Sequence, residues 1–126
     1  MLIIDGDCPM SPASMRMRRD VRLPIDELRR RDANPDNIPM SSLPEMRRAG
    51  IAVAVVKIAT DGQREGNTLR GALPAHRAYA MGQGQVAYFR ALDREGEITL
   101  LRTAPDFRAH VATWEAADAP AADRGS

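Results

Sequence analysis

At 126 residues the chain has room for one domain with one modest core. Hydrophobic residues make up 44% of it and charged residues 28%, which excludes disorder along its whole length. The 18 basic side chains nearly cancel the 17 acidic ones, so no general field draws nucleic acid or an anionic membrane, and no run approaches the ~18 apolar residues of a membrane helix.

Met1-Leu2-Ile3-Ile4-Asp5 has neither a basic leader nor a long apolar stretch, and the single Cys8 cannot form an internal disulfide. A cytoplasmic location is the expectation. Leu2-Ile3-Ile4 reads as a buried first strand, ended by a turn at Asp5-Gly6. Residues 8 to 24, interrupted by Pro9, Pro12 and Pro24, read as irregular. Ile25 to Arg31 reads as a short helix stopped by Asn34-Pro35-Asp36.

Ser42-Leu43-Pro44-Glu45 has the pattern of a helix start. Ser42 is placed to cap, Pro44 sits in the first turn, and Glu45 is placed to reach back to the Ser42 amide. Gly50 supplies the stop. The run Ile51 to Ala59 is apolar on both alternating faces, as in a strand buried between layers of a parallel sheet. Residues 60 to 74 form a polar loop. A helix is predicted from Ala75 to Glu95, with Tyr79, Gly82, Val86, Phe89 and Leu92 on one stripe, and Gly96 ends it. Ile98 to Leu101 is a short extended piece. Thr103 and Asp106 form a capping-box pattern, with Asp where Glu or Gln is usual, before a helix carrying Phe107, Val111 and Trp114. From Asp118 onward the composition is that of a frayed tail.

The order of elements points to α/β architecture. A complete (β/α) barrel needs ~250 residues and eight strands, so two core strands with flanking helices make at most part of one.

Asp5 and Asp7 are the most suggestive chemical pair, because catalytic side chains of barrel enzymes sit at the C-terminal ends of strands and two carboxylates suit a hard cation. Turn chemistry at Asp-Gly is the stronger reading. His76 and His110 lie in predicted helices without a partner at metal-ligand spacing, so helix packing or solvent is expected for each. Cys8 has no motif around it to mark a reactive thiol. Gly82-Gln83-Gly84 follows no strand, which favours close helix packing over phosphate binding. Arg16, Arg18, Arg19, Arg22 and Arg29 to Arg31 are interleaved with Asp20, Asp26 and Glu27, the mark of a solvated face with local ion pairs.

Several stretches, in order, resemble the membrane (renal) dipeptidase family. The start, L-I-I-D-G-D-C-P-M, is similar to that family's first strand, an apolar run ending in D-G-H-x-D. R-R-D-V-R-L-P-I-D-E-L-R-R-R is similar to the segment that follows it. S-L-P-E-M-R-R-A-G-I-A-V-A-V-V-K-I-A-T resembles the family's helix turn and second strand, and A-Y-A-M-G-Q-G-Q-V-A-Y-F-R-A-L its next helix. The resemblance spans residues 1 to 117 and leaves 118 to 126 as a disordered tail.

It implies a (β/α) barrel metallopeptidase in which two zinc ions activate a hydroxide against dipeptides. Asp7, however, stands where the family has its ligand histidine, and Pro9, which offers no donor atom, stands at the ligand aspartate. The family's bridging glutamate and later histidines find no counterpart. The expectation is therefore a partial barrel segment, truncated or degenerate. It should have no catalytic, cofactor-binding or metal residues, and no cofactor of its own where the family has zinc. The alternative is a small interaction module, pairing its sheet edge with a second copy or with a complementary chain such as a separately encoded remainder of the barrel. An active metallohydrolase built on Asp5 and Asp7 is the third and weakest reading.

Overall fold

The computed structural model describes residues 1–32, 38–60 and 74–118. Its elements run β1 (Ile3–Cys8), α1 (Met10–Met17), α2 (Ile25–Arg31), α3 (Leu43–Arg48), β2 (Ile51–Val56), α4 (Ala75–Arg94) and α5 (Ala104–Asp118). The two strands pair in parallel, so the architecture is mixed helix and strand around a two-stranded sheet that is open, not a closed barrel. The expected stop at Asn34-Pro35-Asp36 and most of the 60–74 loop lie outside the described residues, as does the tail beyond Asp118.

Pairing with β2 extends β1 beyond the expected turn. Asp5-Gly6 is strand, and the register slips between Ile3 and Ile4 and again between Asp5 and Cys8. The tertiary ladder overrides the local turn preference of Asp-Gly. A second correction is α1, which occupies residues read as irregular. Pro12 falls in its first turn, where backbone amides have no intrahelical acceptor and a missing N–H costs nothing. The helix ends on Arg18, held at φ 54° in the left-handed region. β2 stops at Val56, three residues short of expectation, and residues 98 to 101 form no strand of the sheet.

The core lies on one side of the sheet. Cys8, Met10, Val21, Leu43, Phe89 and Leu92 are buried together, with Ala54, Val56, Ile98 and Leu100 packed against them. Side chains alternate across a strand, so Ala54 and Val56 face this core while Val53 and Val55 face away. Ile4 lies beside Val53 in the register, and Ile4 and Val55 are 51% and 58% exposed. The expectation that both faces of β2 are buried is thus corrected: one face is covered by helices and the other is largely open.

The helix termini divide in an instructive way. Thr103 and Asp106 form the expected reciprocal box: Thr103 Oγ1 accepts the Asp106 N–H at 3.2 Å, and Asp106 Oδ2 accepts the Thr103 N–H at 3.0 Å. Ser42 does not cap. Its backbone has the extended conformation of a cap residue, yet its hydroxyl is buried and makes no hydrogen bond. Glu45 turns to Arg48 instead of the Ser42 amide.

Candidate functional site

The C-terminal ends of parallel strands are where loops of an α/β fold gather chemistry. At the end of β1, Asp5 Oδ1 accepts the backbone N–H of Asp7 at 3.0 Å, an interaction internal to the strand. Asp7 Oδ2 accepts from Lys57 Nζ, just past the end of β2, at 2.9 Å. The Asp7 and Lys57 side chains are 64% and 47% exposed, so the pair contributes at most about 1 kcal/mol. Each carboxylate is thereby engaged separately. Among the described residues no group of three His, Cys, Asp or Glu side chains is placed to hold a metal ion.

Cys8, next in the chain, is buried. Burial pushes its thiol above the ordinary range, and the negative charges of Asp5 and Asp7 push it further, against a smaller opposing effect of the Met10 backbone. A thiol held protonated in this way is a poor nucleophile at neutral pH.

Behind the strand ends lies a buried polar cluster built on Gln85 of α4. Its Oε1 accepts from Ser11 Oγ and from the Ala59 amide, both at 3.0 Å. Its Nε2 donates to the Ala59 carbonyl at 2.6 Å. Ser11 Oγ also lies 3.0 Å from the Lys57 carbonyl, in position to donate to it. The cluster ties α1 and α4 to the chain leaving β2. It was not expected from the sequence, although Gln85 stands one turn before Phe89 on the predicted apolar stripe, where a polar residue signals a buried partner.

The remaining candidates resolve into packing contacts and ion pairs. An added Cβ at Gly82 would meet Ile58 Cγ2 at 3.7 Å, and one at Gly84 would meet Met15 Cε at 3.6 Å, so both glycines lie at helix contacts. His76 is exposed on α4. His110 does more than pack: its Nε2 donates to the Ala52 carbonyl at 2.9 Å, and its ring lies 6.3 Å from that of Trp114. Of the arginine cluster, Arg19, Arg22, Arg30 and Arg31 are ion-paired, and Arg29 donates to the Pro39 carbonyl at 3.2 Å; the expected solvated face is corrected at Arg19, whose side chain is only 7% exposed. Arg19 meets Asp32 at 2.6 Å, Arg22 meets Asp20 at 2.9 Å and Glu95 at 3.2 Å, and Arg30 and Arg31 both meet Glu27. Arg22 holds the Asp20 carboxyl below its usual range.

The Ala52 carbonyl marks the edge of β2 that turns away from β1. Along that edge runs an apolar groove of about 930 Å³, bounded by β2, residues 96–104 and α5, with Ile4, Val53, Val55, Leu100, Phe107 and Trp114 in its wall. Arg47 fixes one side of it, reaching the Glu97 carbonyl and, at 3.1 Å, the Glu97 carboxylate. No helix among the described residues is long and apolar enough to cross a membrane. Compared with known protein families, with curated proteins and with solved structures, the chain finds no match.

Proposed function

We propose that this chain is a dipeptidase-like segment of a (β/α) barrel that has no metal site of its own and acts as an interaction module. In this reading it offers β1 and β2 as part of a larger parallel sheet, completed by a complementary chain that carries further β/α units. The observation that carries the reading is the outer edge of β2. It belongs to a two-stranded parallel sheet, it borders an apolar groove, and the adjoining face leaves Ile4 and Val55 exposed. Parallel sheets are stable when both faces and both edges are covered.

The non-catalytic half of the proposal rests on residues 7 and 9. In the family that the sequence resembles, a metal-bound hydroxide attacks the dipeptide, and these two positions hold metal. Asp7 is engaged with Lys57, and Pro9 has no donor atom. Among the described residues at the strand ends, Asp5 bonds the Asp7 backbone amide and Cys8 is buried as a thiol. A cytoplasmic setting suits a fold whose one cysteine is unpaired.

Three measurements on the purified chain test both halves. Size-exclusion chromatography with light scattering is expected to show self-association, reduced by Val55→Lys, which places a charge on the open face at an exposed position. Metal analysis after dialysis is expected to find no stoichiometric zinc, and a dipeptide panel no turnover. A sharp monomeric peak with cooperative unfolding would overturn the open-edge reading. Turnover with zinc bound would overturn the non-catalytic one.

A further inference from the structure

We draw no further inference here: the strongest candidate, the apolar groove between the outer edge of β2 and residues 96–104, belongs to the surface already described, and nothing in the structure shows what covers it.

Discussion

Gln85 meets Ala59 with both ends of its side-chain amide, accepting the Ala59 N–H and donating to the Ala59 carbonyl. One side chain on a helix thus does for the chain leaving β2 what a neighbouring strand would do. Both backbone groups are satisfied where the described residues supply no third strand, and the same oxygen accepts the buried Ser11 hydroxyl.

Gln85→Leu should therefore cost far more than a surface change. It removes the partner of the part-buried Ala59 N–H and carbonyl and leaves Ser11 only the Lys57 carbonyl, and a fully buried unsatisfied group costs about 1–3 kcal/mol, a part-buried one less. A total loss of about 1–3 kcal/mol is expected from denaturant unfolding, with faster hydrogen exchange at the Ala59 amide. Gln85→Glu keeps the acceptor but sets a carboxylate against the Ala59 carbonyl, so its deficit should be greatest at neutral pH and shrink as the carboxyl protonates. An unchanged Ala59 exchange rate in either variant would show that the amide pair does not hold this segment.

Gly50 and Gly96 have nearly the same positive φ, 78° and 77°, in different surroundings. A Cβ at Gly96 meets nothing within 4 Å, whereas one at Gly50 would lie 2.6 Å from the Met1 carbonyl oxygen. Gly96→Ala should cost about 1–2 kcal/mol, the conformational cost alone. Gly50→Ala should cost at least about 1 kcal/mol more, because relieving the overlap disturbs the neighbouring bond from the Ile3 N–H to the Gly50 carbonyl, 2.8 Å long. Equal losses in thermal unfolding would mean that the chain start moves aside freely.

Asp106 caps α5 as a carboxylate, and its bond with Thr103 comes first among the causes that hold its carboxyl below the usual range. A lowered folded-state pKa gives a contribution that is present above the unfolded value of about 3.9 and is lost as pH falls through the folded value. Asp106→Ala should lower the melting temperature at neutral pH and much less at acid pH. A deficit independent of pH would show that charge has no part in the cap.

Asp7→His with Pro9→Asp restores the residue types of the dipeptidase ligand pair. Stoichiometric zinc is still not expected, since a zinc site needs three or four protein ligands in a set geometry, Asp5 is engaged with the residue 7 amide and Cys8 is buried. The double variant also frees Lys57 from its partner and leaves that cation beside the rebuilt pair. One zinc per chain by native mass spectrometry after dialysis would count against this.

Local rules were readable from the sequence where the partners are close in the chain. Thr103 and Asp106 are three residues apart, and the box they form depends on little else. Gly50 and Gly96 were likewise legible as helix stops. Ser42 has the same signature, but α3 buries its hydroxyl without a partner, and no local rule anticipates that. Pro12 reads as a breaker until its place in the first turn of a helix is known. Asp5-Gly6 reads as a turn until a parallel partner extends the strand through it. The run from Ile51 is apolar enough for burial on both faces, yet how many layers cover it depends on the number of strands, which the run itself does not specify. Gln85 and His110 were missed as backbone partners because Ala59 and Ala52 lie 26 and 58 residues away.

The parallel pairing of β1 with β2 also governs how the chain reaches this structure. Asp7 and Lys57, at matching ends of the two strands, are 50 residues apart in sequence, so the sheet forms only after a long loop has closed and its entropy has been lost. α4 needs only neighbours along its own length and can form early, whereas strand pairing of this span is slow. During that interval Ile51–Val56, six residues without a charge or a proline, waits for its partner strand with its backbone groups free. Temperature and protein concentration during refolding should therefore govern the yield of the native chain more strongly than its final stability does.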